Sequence, residues 1–229
     1  MSKLPLIHFD GALFHITARG NNKQEIFLEP KDFQRYLQSL ETCRKKMPFE
    51  LFSFILMPNH LHLLIQVHKY PISKIMQVLQ TGYSMFFNKK YTHSGHLFQG
   101  RYHSFLVEKE AYLLQLVQYI HLNAVRAGLV KDPKEYPWSS HLAYLEDYHE
   151  FNRLIDKDFV LANISGKSEG RREKYEKLVL VGMDHKWQDI FPEAGRGYII
   201  GSEKYILKIG KIERKALLAK TTGKNRLIR

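Results

Sequence analysis

Two rhythms of apolar residues run along the chain, one of period two and one near 3.6, and the switches between them mark its elements. Residues 13–19 alternate, with Phe14, Ile16 and Ala18 on one face, and read as a first strand; Gly20-Asn21-Asn22 follows as a turn. Phe33, Tyr36, Leu37 and Leu40 recur at helical spacing, which predicts an amphipathic helix over about 31–46, ended by Pro48. Residues 49–57 are aromatic and aliphatic on both faces, as a central strand should be. Pro58-Asn59 breaks that run and a further strand opens at His60, so the pair reads as a hairpin. Ile72, Ile75, Met76, Leu79, Tyr83, Phe86 and Phe87 predict a long helix over about 71–90. Residues 93–102, with Gly95 and Gly100, read as a loop, 104–108 as a short strand, and 110–127 as a third helix stopped by Gly128.

The order β-α-β-β-α-β-α with one antiparallel pair predicts an α+β domain, a mostly antiparallel sheet with helices on one face. It ends near Tyr148, after a helix start at Pro137-Trp138-Ser139-Ser140 that Trp138 anchors. The remainder has a polar, linker-like patch at 166–170 and helical patterns at 171–181 and 202–220. Residues 1–148 are therefore read as one domain and 149–229 as a mostly helical, basic C-terminal region.

Charge narrows the partners. Lys and Arg number 35 against 23 Asp and Glu, a net +12 that favours a polyanion, nucleic acid before an anionic membrane surface. From 203 to 229 nine Lys or Arg stand against two Glu, which reads as a nucleic-acid-binding arm or as a solvated basic tail. Cys43 is the sole cysteine, which excludes an internal disulfide and a cysteine zinc cluster. No apolar run approaches the roughly 20 residues of a membrane span, and residues 1–10 lack a signal-like segment, so the expectation is a cytoplasmic protein with no membrane partner.

The chemistry concentrates in two stretches. In Met57-Pro58-Asn59-His60-Leu61-His62-Leu63-Leu64-Ile65, strand alternation points His60 and His62 the same way, with Leu61, Leu63, Ile65 and Val67 opposite. Two such imidazoles can grip one divalent ion. On the third helix Tyr112, Gln115, Tyr119, Asn123 and Arg126 form a polar stripe opposite Leu113, Val117, Ile120, Ala124 and Ala127. Tyr119 and Asn123, one turn apart, join the histidines only if this helix packs beside them, which the pattern permits without requiring.

Pro58-Asn59-His60-Leu61-His62 resembles the HUH motif of single-tyrosine DNA transposases. Tyr119-Ile120-His121-Leu122-Asn123-Ala124-Val125-Arg126-Ala127-Gly128 resembles the tyrosine helix of the REP-associated tyrosine transposase branch of this IS200-like family. Thr17-Ala18-Arg19-Gly20-Asn21-Asn22 and Gly95-His96-Leu97-Phe98-Gln99-Gly100-Arg101-Tyr102 are similar to further motifs of that family, in the same order over about 8–145. Ala124 departs from the family's usual proline. The resemblance implies the HUH endonuclease fold, a ferredoxin/RRM-like antiparallel sheet. It implies a metal-dependent single-strand DNA endonuclease and strand transferase whose nucleophile, Tyr119, forms a 5′-phosphotyrosine intermediate and frees a 3′-hydroxyl. His60, His62 and Asn123 would hold Mg²⁺ or Mn²⁺, the substrate would be single-stranded or hairpin DNA, and related transposases often work as homodimers. Arg126, Lys74, Lys89, Lys90, Arg101 and Tyr102 are candidates to contact that DNA. Two other classes remain: a non-catalytic nucleic-acid-binding module using its sheet face, and a metal hydrolase that uses water while Tyr119 positions substrate. A covalent protein–DNA adduct separates the first class from both.

Overall fold

The computed structural model describes residues 8–165, 169–184 and 198–212. Strands β1 (Ala12–Arg19), β2 (Phe49–Met57), β3 (His60–Val67), β4 (His103–Val107) and β5 (Tyr198–Ile200) form one sheet in the order β2-β3-β1-β4-β5. The first four are antiparallel neighbours, and β5 adds a short parallel edge to β4. Between them lie α1 (Pro30–Lys46), α2 (Ile72–Tyr91) and α3 (Lys109–His121). The α+β, ferredoxin-like expectation holds, and β5 is an addition that residue patterning did not predict.

Each element follows from its residues. Helix α1 opens on Pro30 in its first turn, with Glu29 and Asp32 capping each other's backbone. It buries Phe33, Tyr36, Leu37 and Leu40, the predicted stripe. Tyr36 and Tyr83 of α2 meet edge to face at 5.3 Å, beside Phe27, which locks the two helices together. Phe14, Ile16, Leu61, Leu63 and Ile65 share one sheet face and are at most 1% exposed, so β1 and β3 lie at the centre of the core.

The β2–β3 hairpin turns on Pro58 and Asn59, with Met57 opposite His60. The turn is strapped from outside: Ile26 and Phe27 N–H donate to the Pro58 carbonyl, and Gly20 N–H donates to that of Asn59. Gly20 is required there, because a Cβ would stand 2.1 Å from the Gln24 carbonyl oxygen. The entrance of β3, where His60 and His62 sit, is thus held by backbone bonds on two sides.

Helix α3 lies across the sheet face that carries His62. The expected single helix over 110–127 is interrupted at Leu122 and resumes as α4 (Asn123–Arg126) before Gly128, at φ +70°, ends it. The cause is local: the Asn123 side-chain amide donates to the carbonyls of Tyr119 and Ile120 and competes there with the helix ladder.

Beyond residue 128 the chain runs along the β2 edge, where Leu56 N–H donates to Trp138 O and Ser140 N–H to Phe54 O. Trp138, the expected anchor, stacks on Phe33 at 4.5 Å. Three short helices follow, α5 (His141–Leu145), α6 (Lys157–Ile164) and α7 (Arg171–Val181), the last as patterned. Asp156 takes two bonds from Arg44 of α1 and one from the Leu51 N–H, which ties this region to the sheet. The predicted helix at 202–220 is seen over 203–212; its remainder, most of the basic tail and part of the 166–170 patch lie outside the described residues. Among the described residues no helix is long and apolar enough to cross a membrane.

Candidate active site

Register decides which side chains meet. Arg19 pairs with His60 and Thr17 with His62, so Arg19, Thr17, His15, His60 and His62 occupy one sheet face. Helix α3 brings Tyr119 onto it. The Tyr119 ring stands edge-on to His62 at 5.7 Å and to His15 at 5.9 Å, and the Arg126 guanidinium lies 4.9 Å over the same ring. His60 and His62 are 5.2 Å apart between ring centroids and nearly perpendicular. Two stretches some sixty residues apart therefore converge, and the half-buried Tyr119 is placed among the histidines.

Both histidines are engaged through the same nitrogen. His60 Nδ1 lies 2.6 Å from the Asn59 side-chain oxygen, and His62 Nδ1 lies 3.0 Å from His15 Nε2. With both Nδ1 atoms engaged, each ring keeps Nε2 for a ligand. Burial, with the charge of Arg19 second, pushes His60 down to about 4. Burial, then His15, His60 and Arg126, holds His62 well below the ordinary histidine value. Both are neutral at pH 7, the form a metal ion requires. Asn123 is buried, and because its amide nitrogen donates to two carbonyls, its oxygen is its remaining polar atom. Two imidazole nitrogens and one amide oxygen fit a divalent cation of intermediate softness and leave the ion's charge uncompensated. No group of three or more His, Cys, Asp or Glu able to hold a metal occurs among the described residues.

The other candidates are dispersed. Arg126 is at the site, and its guanidinium covers Tyr119. Leu97 accepts from Asn21 N–H and Gln99 N–H donates to Arg19 O, which brings the 95–102 loop to the end of β1. Arg101 there is exposed; Tyr102 is partly buried, and burial pushes its hydroxyl up to about 12 despite Arg101. Lys74 and Lys89 are exposed on α2. The Lys90 ammonium is engaged by Glu29 at 2.7 Å and Asp32 at 2.5 Å. Sequence reading placed Asn59 and Arg19 inside motifs without giving either a role, and did not single out His15. Strand alternation gives the face of His15, but only the β1–β3 register brings it to His62.

The family model described as "Transposase IS200 like" matches residues 9–123. A REP-associated tyrosine transposase of Haemophilus influenzae is 30% identical over 144 residues, covering 57% of this chain and 80% of that protein. The fold is similar to the solved structure of a REP-associated tyrosine transposase bound to a REP hairpin, with a TM-score of 0.52 at 18% identity over 61% of this chain and 82% of that one. With this match over half its length, the chain belongs to the IS200-like transposase family, on its REP-associated tyrosine transposase branch.

Proposed function

We propose that this transposase is a metal-dependent single-strand DNA endonuclease and strand transferase in which Tyr119 is the nucleophile. The observation that carries this reading is the approach of the Tyr119 ring to His62, 5.7 Å edge-on, beneath the Arg126 guanidinium. His60 and His62, through Nε2, and Asn123, through its amide oxygen, would hold the ion. When bound, Mg²⁺ or Mn²⁺ polarises the scissile phosphate as a Lewis acid.

The protein's own residues do the rest. A phenol is a weak nucleophile at neutral pH and needs its developing charge stabilised. Arg126, over the ring, supplies a positive charge there. The Tyr119 hydroxyl gives up its proton as its oxygen attacks phosphorus; the P–O3′ bond breaks, leaving a 5′-phosphotyrosine, and the departing oxygen takes up a proton and becomes a 3′-hydroxyl. The ester keeps the energy of the broken bond, so a second 3′-hydroxyl reverses the step and joins strands. Asn123 is held by the Tyr119 carbonyl, which ties the third ligand to the nucleophile's own helix turn. Exposed Arg19, beside His60, and Arg101 offer charge to the phosphate backbone.

The substrate is single-stranded DNA next to a hairpin, in keeping with the hairpin bound by the solved relative. We assign strand transfer to residues 1–148 and bracing of that unit to the described residues of the C-terminal region 149–229, with a homodimer as the working form. The test is denaturing electrophoresis of a labelled oligonucleotide with Mn²⁺. Wild type forms a covalent adduct, Tyr119→Phe forms none, and His60→Ala, His62→Ala or a chelator abolishes cleavage. Cleavage with no adduct at all would favour the water-using hydrolase.

A further inference from the structure

We propose that His15, on a strand of its own, is a positioning residue that fixes which nitrogen of His62 faces the metal ion. This rests on the reading of His60 and His62 as ligands. His15 is 1% exposed and lies diagonally across the β1–β3 ladder from His62, since Thr17 pairs with His62 and His15 with Leu64. Its Nε2 is 3.0 Å from His62 Nδ1; the rings are coplanar within 4° with centroids 5.2 Å apart. Coplanar rings whose nearest nitrogens are that close, with centroids that far apart, meet edge to edge, in line for an N–H···N bond.

Two neutral imidazoles joined in this way carry one shared proton position, with two consequences. If the proton sits on His62 Nδ1, His15 Nε2 accepts it and His62 Nε2 keeps its lone pair for an ion. If it sits on His15 Nε2, His62 carries its own proton on Nε2 and cannot ligate. Binding an ion requires the first arrangement, in which His15 Nε2 is the acceptor for the proton on His62 Nδ1. Packing keeps the acceptor aimed. Phe105 lies along one side of the His15 ring at 5.8 Å, and the Tyr119 ring meets it edge-on at 5.9 Å. The partner of a metal-bound histidine is often a carboxylate. A neutral imidazole in that place adds no negative charge where an anionic phosphate must approach.

The experiment is Mn²⁺ titration of the full-length protein, read by the electron paramagnetic resonance of free Mn²⁺, with folding checked by circular dichroism. His15→Phe keeps a flat ring and removes the acceptor; His15→Gln restores an acceptor oxygen. Affinity in His15→Phe should fall about 10- to 100-fold, and His15→Gln should recover most of it. Wild-type affinity in a folded His15→Phe overturns the positioning role. Absence of Mn²⁺ binding by wild type strikes the metal site itself, a different failure, and removes this inference with it. A measurement needing no variant is the ¹⁵N spectrum of the imidazoles with Mg²⁺. A proton on His62 Nδ1 is expected, and a proton on His62 Nε2 overturns the inference even if Mg²⁺ binds.

Discussion

Replacing Tyr175 by Phe removes one oxygen from a buried chain of hydrogen bonds that fastens α7 to α3, the helix that carries Tyr119. The Tyr175 hydroxyl lies 2.7 Å from His141 Nδ1 and 2.7 Å from His121 Nδ1. His121 Nε2 continues to Ser140 Oγ at 2.7 Å, which accepts from Phe54 N–H and reaches the Phe54 carbonyl at 3.3 Å. The protons can run in one consistent direction, with His141 Nδ1–H donating to Tyr175, Tyr175 to His121 Nδ1, His121 Nε2–H to Ser140, and Ser140 to Phe54 O, or in the reverse direction from Ser140 to His141; in both, the Tyr175 hydroxyl is donor to one imidazole and acceptor from the other. Burial, with His141 second, keeps His121 far below the ordinary histidine value, and burial pushes His141 down to about 4, so the chain is neutral at pH 7. Phenylalanine fills the same space but strands one donor and one acceptor, each fully enclosed. At about 1–3 kcal/mol for each stranded buried group, the loss should be about 3 kcal/mol. For a chain of this size that lowers the melting temperature by roughly 6–12 °C. Urea unfolding and calorimetry measure it, with Tyr148→Phe, at a residue 99% exposed, as the unchanged control. A loss below about 1 kcal/mol would refute the hydrogen-bonded chain as a fastening, because it would mean the imidazoles find other partners. Since His121 lies two residues from Tyr119, adduct yield should fall further than binding of the same oligonucleotide.

Other outcomes follow from the same structure. Lys90→Met leaves the wholly buried Asp32 carboxylate without its cation, and should cost about 2–4 kcal/mol once the lysine's 25% exposure is discounted; unchanged urea stability would remove that ion pair from the account. His15, pushed down by burial to about 3, and His60 and His141, at about 4, stay neutral in the folded chain while the same residues in the unfolded chain take up protons below about pH 6.5. Their folded values are lowered, so stability is complete above pH 6.5 and falls as pH drops toward 4, each proton contributing a slope of about 1.4 kcal/mol per pH unit. A urea midpoint that is flat from pH 7 to 5 would contradict this. His68, bonded to Asp10 at 2.6 Å and to Glu50, is shifted the opposite way, by the Asp10 bond first, against partial burial, and by Glu50. Its contribution is complete below the ordinary histidine value and is lost as pH rises through the raised one, and an NMR titration of His68 giving an ordinary value would oppose the assignment.

Most elements were legible because they express a period. The alternation of β1, the apolar run of β2 and the stripes of α1 and α2 are local properties, and the structure keeps them. The His60–His62 pair was legible for the same reason, since two residues on one strand share a face. What escaped depends on contacts between distant segments. Lys90 sits in an exposed helical phase, and only the α1–α2 packing brings Asp32 to it. Strand β5 is three residues long and pairs in parallel, with no turn to announce it. The break at Leu122 comes from a side-chain bond of Asn123, which helix propensity does not register. His15 has no motif of its own, and the register that brings it to His62 is a property of the sheet.

The central claim is that Tyr119 carries the DNA. The most direct measurement is mass spectrometry of the peptide crosslinked to a short single-stranded oligonucleotide after reaction with Mn²⁺, proteolysis and nuclease trimming. The account predicts one modified peptide, containing Tyr119, with a nucleotide joined through its 5′-phosphate to the phenolic oxygen. A nucleotide on another residue, Tyr112 being the first to inspect, or cleaved DNA bearing a free 5′-phosphate and no linked peptide, would contradict it.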